Sequence, residues 1–424
     1  VSTDEHLFRR EAGRMVAALT RIFGVHNLAL AEDVVQDALC RALEVWKFRG
    51  VPDNPSAWLM TTARNRALDV LRRERTARTF APELGRLLES EWTLAPTVTE
   101  ALGAAGDAFR DDQLRMMFSC CHPRLPEEAQ VALVLNILCG FGVGEIAAAF
   151  LSGEAAVEKR ITRGKKVLAS SKRLFDLTAG ADLTARLPAV QRALYLLFNE
   201  GYHGACAEAA VRTELCREAM RLGDLLRRHP LGATPATHAL LALMCLHAAR
   251  LPARLDAAGN LTPFADQDRA RWDPALIAEG KRLLDLSAEG SEVSAYHVEA
   301  AIAVVHADAA SAEATRWDEI VALYDTLVKI RPSAVVALGR AIAVAELRGP
   351  EQGLEEIRAI ADSERLAAYP FYPAAMGELE LRRGRREIAR AHFSDALALA
   401  RNPTERRFLE QRVAVCGQSD RVGG

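Results

Sequence analysis

No stretch of this chain is apolar for long enough to cross a bilayer. The longest, Val131 to Val143, is interrupted by Asn136 and falls well short of the roughly 20 residues a membrane-spanning helix needs. The start holds Asp4, Glu5, His6, Arg9 and Arg10 with no apolar run behind a basic tip, so it lacks the pattern of a secretory signal. A cytoplasmic protein without a membrane partner is expected. The eight cysteines (40, 120, 121, 139, 206, 216, 245, 416) include no CxxC pair, which argues against a disulfide framework and a zinc ribbon. Reduced thiols and no metal are expected. Alternating β-branched runs are absent, and no cofactor fingerprint or nucleophile motif is present. Neither a cofactor nor catalysis is expected. A net charge of only −2 gives no bulk reason to suspect a polyanion partner.

Local charge is another matter. Arg64 to Arg78 carries six arginines against Asp69 and Glu74, a net +4, and Lys159 to Arg173 carries seven bases and no acid, a net +7. Ala81 to Glu128 between them holds nine acids against four arginines, a net −5. Two cationic segments flank an acidic connector.

At 424 residues, half apolar and about a quarter charged, the chain is a globular protein of several domains. Apolar residues recur at three- and four-residue spacing among abundant Ala, Leu, Glu and Arg, so the fold class is all-α. His6 to Phe23, Ala29 to Trp46 and Ser56 to Arg75 read as three amphipathic helices. Gly24 closes the first, a turn-rich loop with Gly50, Pro52, Asp53, Asn54 and Pro55 precedes the third, and Ser56 is its expected N-cap. The pattern divides into a first domain over 1–80, a linker over 81–107, a second helical cluster over 108–176, a helical extension over 177–285 and a repeat region over 286–424. In the last region Trp317, Glu351 and Arg385 open similar units at steps of 34 and 34. Tyr324, Ile357 and Phe393 fill a matching apolar position at steps of 33 and 36. That period suits the tetratricopeptide helix pair; ordinary antiparallel helices of shared length would look similar.

Three segments carry functional signals. In GVGEIAAAFLSGEAAVEKRITRGKKVL, residues 142–168, a short helix with Ile146 and Ala147 inward precedes a tight turn. A second helix follows with Val157 and Ile161 inward and Lys159, Arg160 and Arg163 outward. This is helix-turn-helix patterning, with the second helix suited to a major groove; a hairpin with a solvated cationic face would show the same spacing. The third predicted helix, PSAWLMTTARNRALDVLRRERTAR, sets Trp58 ahead of arginine rows, a composition suited to stacking and phosphate contact on single-stranded DNA but common on wet helix faces. Upstream, LALAEDVVQDALCRALEVW places Asp33 and Asp37 one helical turn apart, flanked by Glu32, Gln36 and Glu44. That acidic surface repels DNA and invites a basic protein partner.

AEDVVQDALCRALEVW followed by FRGVPDNPSAWLMTTARNRALDVLRR resembles region 2 of the extracytoplasmic-function sigma factors, and residues 142–168 resemble their region 4. FSCCHP (118–123), LYLLFNEGYHG (194–204) and DQDRARWDPALIAEG (266–280) are similar to the subgroup with a long C-terminal extension containing tetratricopeptide repeats. The resemblance covers nearly the whole chain. It implies that Asp33, Gln36 and Asp37 face the clamp helices of core RNA polymerase. It implies further that the loop Lys47 to Ala57 holds a flipped minus-ten base, with Asn54, Trp58, Arg64, Asn65, Arg66, Arg72 and Arg73 near the melted strand of promoter DNA. Glu154, Lys159, Arg160, Arg163, Lys165 and Lys166 then serve the minus-thirty-five duplex. Leu151 stands where the turn commonly has Gly, and Ala156, Val157 and Glu158 where a Thr-Val-Lys start is common, so promoter sequence does not transfer. The extension is expected to regulate, through an intramolecular contact or a protein partner.

Three further clusters invite sharper readings. Cys120, Cys121 and His122 are adjacent and cannot all point at one tetrahedral ion without strain. Asn199, Glu200, Tyr202 and His203 resemble an active-site set but sit at a helix end, where capping and packing suffice. Asp266, Asp268, Arg269, Arg271, Trp272 and Asp273 read most simply as a salt-bridged loop anchored by Trp272, with a regulatory contact to the front domains as the alternative. The rival to the whole reading is a helix-turn-helix transcription regulator with a helical-repeat sensor, which leaves the first three helices unexplained.

Overall fold

The computed structural model describes residues 3–77, 112–150, 152–170, 180–203, 211–290, 292–400 and 402–417. Their elements are helical, apart from one isolated antiparallel bridge between Leu255 and Leu261. The all-α expectation holds. The expected linker 81–107 lies outside the described residues. The chain divides into two units, Val1–Ala147 with Ser152–Ala193 and Ala148–Leu151 with Leu194–Gly424.

The first unit begins with α1 (Thr3–Phe23), α2 (Leu28–Arg49) and α3 (Pro55–Ala77). Gly24, at φ +85°, ends α1 in a conformation other residues rarely adopt. On α2 the buried set is Leu28, Ala31, Val34, Val35, Ala38, Ala42 and Trp46, a helical stripe whose small residues admit close packing. On α3 Leu59, Ala63 and Ala67 repeat every fourth position and are fully buried. Its cap differs from expectation. Pro55 is already helical, and Asn54 is the capping residue, its Oδ1 accepting from the backbone N–H of Ala57 at 3.0 Å. Proline at the first helical position forfeits only an N–H that would be unpaired there, which moves the start one residue ahead of Ser56.

The same unit continues with α4 (112–120), α5 (Glu127–Leu133), α6 (Val143–Phe150) up to Ala147, and α7 (Glu154–Ala169). One turn after α5, Val134–Leu138, widens to π geometry, and the Cys139 N–H donates to the Val134 carbonyl at 3.3 Å. Gly13 of α1 lies against that turn so closely that a Cβ there would stand 2.0 Å from the Leu138 carbonyl oxygen. Arg21 donates to buried Asp112 at 2.9 Å. The start of α8 (Gly180–His203) also contributes, with Arg186 donating to the Phe118 carbonyl at 2.8 Å.

The second unit carries α9 (Thr213–Arg228), α10 (Pro235–Ala248), α11 (Pro274–Ser287) and α12 (Ala295–Asp308). Two of these starts combine a side-chain cap with proline at the first position. Thr234 accepts from the Thr237 N–H, and Asp273 accepts from the Ala275 and Leu276 N–H groups. Six helices follow in series, each packed on the next: α13 (Trp317–Ile330), α14 (Ala334–Arg348), α15 (Pro350–Arg358), α16 (Phe371–Arg382), α17 (Arg386–Ala398) and α18 (Pro403–Gly417). Helices begin at Trp317, Pro350 and Arg386, at or next to the sequence positions Trp317, Glu351 and Arg385. Their matching positions fall in successive cores: Tyr324 against a cluster with Ile320 and Val336, Ile357 with Leu354 and Leu379, Phe393 with Ala389 and Leu409.

Candidate nucleic-acid interface

Helices α6 and α7 form the hairpin that the sequence suggests. Ile146 and Ala147 of α6 are buried, and the Ser152 N–H donates to the Ala147 carbonyl at 2.9 Å, closing the turn. Leu151 lies outside the described residues. Along α7 the buried positions are Val157, Ile161, Gly164 and Leu168. Gly164 is needed, since a Cβ there would stand 2.7 Å from the Leu133 side chain. Inward spacing of three and four leaves Glu154, Lys159, Arg163 and Lys166 exposed. The other two predicted contacts are engaged within the unit. Arg160 pairs with Glu128 at 2.7 Å, and Lys165 pairs with Glu32 of α2 at 2.7 Å, both bases being half-buried. Lys172 and Arg173 lie outside the described residues.

On the outer face of α2, Asp33, Gln36 and Asp37 are all exposed. Asp37 accepts from the Arg66 Nε of α3 at 2.7 Å, and both partners remain open to solvent. Trp58 is half-buried, edge-on to Trp46 with ring centroids 5.5 Å apart. Arg64 is half-buried, while Asn65 and Arg66 are exposed. Arg72 and Arg73 continue α3, but their side chains lie outside the described set. Sequence patterning passed over Phe48, which is 83% exposed beside Val51 at 52%. The available signal was an apolar pair off the buried stripe of α2, next to a loop rich in turn residues.

The three tempting clusters resolve differently. Cys120 and Cys121 are fully buried, and burial raises both thiols well above their ordinary range, so both stay protonated. His122 accepts from the Arg124 N–H through Nδ1 and ends a turn. Glu200 is buried and paired with Arg212 at 2.7 Å, and the Arg212 N–H donates to the Gly201 carbonyl, so this motif ties α8 to α9. In the 266–273 loop the expected salt bridges do not form among the described residues. Asp268 and Asp273 cap backbone N–H groups instead. Arg269 donates to the carbonyls of His306 at 2.5 Å and Ala309 at 2.7 Å. The end of α12 offers unpaired carbonyls that a guanidinium satisfies, so the arginine is drawn there rather than to an exposed carboxylate. Trp272 is buried, as expected of an anchor, whereas Asp266, Asp268 and Arg271 are exposed.

Trp272 belongs to a cluster of aromatic and basic side chains. The Arg250 guanidinium lies 4.2 Å from the Phe264 ring centroid and 5.4 Å from that of Trp272, and Arg254 lies 4.2 Å from that of Tyr202. His247 stands 5.1 Å from Tyr202, and His306 4.7 Å from Phe264. Desolvation first, and then the neighbouring arginines, lower both imidazoles from 6.5 to about 3. A base whose folded pKa lies below its unfolded value contributes stability that is complete above the unfolded pKa and is lost as pH falls toward the folded one. Between pH 6.5 and 3 the unfolded chain takes up two protons that the folded unit refuses, at up to about 1.4 kcal/mol per pH unit for each. The melting midpoint of the second unit is therefore expected to drop between about pH 7.5 and about pH 5, and His247→Phe with His306→Phe should flatten that dependence. An unchanged slope in the double variant would contradict this origin.

Residues 7–77 match the family described as Sigma-70 region 2, and residues 115–168 the family described as Sigma-70, region 4. Residues 186–288 match a family of unknown function (DUF6596). An uncharacterized protein of Rhizobium meliloti (strain 1021) is 39% identical over 400 residues, which is 94% of this chain and 92% of that one. No solved structure matches.

Proposed function

Because the chain belongs to the sigma-70 family, with regions 2 and 4 followed by a C-terminal extension, we propose that it is an extracytoplasmic-function type sigma factor whose extension regulates it. The observation that carries the reading is the joint presence of an exposed acidic face on α2 and a helix-turn-helix with an exposed basic face on α7. A transcription regulator has use for the second alone. In this reading Asp33, Gln36 and Asp37 bind core RNA polymerase. Trp58, Arg64, Asn65 and Arg66 follow the melted minus-ten strand, with Arg72 and Arg73 further along α3. Asn54 supports the loop by capping α3, and exposed Phe48 offers a stacking surface for an unpaired base. The helix pairs from α13 onward are tetratricopeptide-like units that grip a protein segment. Run-off transcription with purified core polymerase on the DNA upstream of the protein's own gene tests the reading. A defined transcript that requires this chain supports it, and none on any promoter tried would sink it.

At the duplex the bases of α7 differ in their present partners. Lys159→Ala and Arg163→Ala remove exposed cations with no ion pair among the described residues. Each is expected to flatten the slope of log affinity against log salt by about 0.9 if it contacts one phosphate. Arg160 and Lys165 must first leave Glu128 and Glu32. Their alanine variants should lose less affinity, since part of each contact is already offset. Fluorescence anisotropy on promoter duplex at several salt concentrations checks this, and a slope unaffected by all four changes would assign α7 a purely structural role.

A further inference from the structure

The aromatic and basic cluster of the second unit holds donors that its own acceptors do not satisfy. Tyr202 and Trp272 are only 2% and 5% exposed, yet the Tyr202 hydroxyl and the Trp272 Nε1 have no hydrogen-bond partner. The same is true of the Arg254 Nε, the His247 Nδ1 and the His306 Nδ1. Arg250 reaches a single acceptor, the Gln267 Oε1, with Nε at 3.3 Å and Nη2 at 3.4 Å. Among the described residues neither Arg250 nor Arg254 has an ion pair, whereas Arg269 satisfies its own donors on the α12 carbonyls. Buried donors left unmade are costly, and buried charge is ordinarily paired. Stacking on Phe264, Trp272 and Tyr202 accounts for the position of the guanidiniums but supplies no acceptor.

Three unmade donors of three chemical types, the Tyr202 hydroxyl, the Trp272 Nε1 and the Arg254 Nε, beside two guanidiniums without a carboxylate and two neutral imidazoles that can each turn a donor inward, call for a group that accepts and carries negative charge. We propose that this cluster, formed by Tyr202 at the end of α8, His247 of α10, Arg250, Arg254, the Trp272 loop and His306 of α12, is a binding site for the oxyanion group of a small molecule, a phosphate or a carboxylate. Arg250 and Arg254 supply charge and forked donors, and Tyr202 and Trp272 orient the oxygens. His247, Arg250, Arg254 and His306 are each half-buried as residues, while the unpartnered Arg254 Nε, His247 Nδ1 and His306 Nδ1 are themselves closed off. Arg269 is a positioning residue that holds the loop carrying Trp272 to α12.

Calorimetric titration of the full chain with inorganic phosphate, and separately with citrate, against chloride at matched ionic strength tests the site. Saturable one-to-one binding is expected. Stronger phosphate binding indicates a phosphorylated ligand, and stronger citrate binding a carboxylated one. Arg254→Gln should weaken binding at least tenfold, and Arg254→Lys should recover only part of it because the fork is lost. Tyr202→Phe removes a hydroxyl with no partner, so it should leave the melting midpoint in anion-free buffer unchanged or higher while lowering affinity severalfold. Lys159→Ala with Arg163→Ala should leave binding intact, excluding the basic face of α7. Failure of both anions to bind beyond matched chloride, or equal binding by wild type and Arg254→Gln, overturns the proposal. These readouts need no polymerase or promoter, so their failure leaves the sigma-factor reading standing and the reverse also holds.

Discussion

Replacing Asp33 and Asp37 together with lysine is expected to abolish binding to core RNA polymerase while leaving helical content unchanged. Both carboxylates are exposed on the outer face of α2, and its buried stripe from Ala31 to Trp46 is untouched by the change. The fold therefore loses only the Asp37 to Arg66 pair, whose partners are both about half exposed; exposed pairs of this kind contribute about 0–1 kcal/mol. Reversing two charges against a basic partner places like charges in contact, which costs several kcal/mol and corresponds to a loss of more than about a hundredfold in affinity. Arg66→Ala separates the two effects. It breaks the same pair but keeps both carboxylates, so core binding should persist while capture of melted DNA weakens. Co-purification of the double lysine variant with core at the wild-type level would remove the basis for assigning this face to the polymerase.

The sequence carried the helices and their inward faces because those depend on local spacing. Ile146, Ala147, Val157 and Ile161 are buried as their periodicity requires, and helices begin at or next to Trp317, Glu351 and Arg385. What it did not carry depends on contacts remote in sequence. Lys165 meets Glu32 across 133 positions, so the basic run of α7 looked uniformly available when part of it is paired. The 266–273 loop looked like a set of ion pairs because its composition balances. Arg269 instead goes to the end of α12, 37 and 40 positions away. The α3 cap was misplaced by two residues because proline at 55 makes a better first helical residue than its composition suggests as a loop member. Arg250 and Arg254 escaped notice entirely. Their segment, ARLPAR, gives no sign that the arginines turn inward onto Tyr202 at the end of α8 and onto Phe264 and Trp272 of one loop.

Ending the chain after Ala193 is expected to change transcription severalfold relative to the full chain, and the place of that end matters. Residues 180–193 of α8 belong to the first unit, where Arg186 binds the Phe118 carbonyl and Leu187, Val190 and Ala193 are buried. A chain ended at Asp176 would lose these groups, and the deficit in folding would mask any regulatory effect; burying three apolar side chains of this size is worth on the order of 5 kcal/mol. With the later end the first unit keeps Arg186, Leu187, Val190 and Ala193, and the difference reports on the extension. Higher activity means that the extension holds the front regions back, and lost activity means that it helps them engage the polymerase. The loop variant must also respect the structure. Arg269→Ala would release the loop from α12, so a surface test should change exposed Asp266 and Arg271 instead. If those two residues make the regulatory contact, Asp266→Ala with Arg271→Ala should reproduce part of the truncation effect without shifting the melting midpoint. Equal transcription by the shortened chain, the loop variant and the full chain on one promoter would leave no regulatory role within the chain, and the helix pairs would then have to serve an external partner.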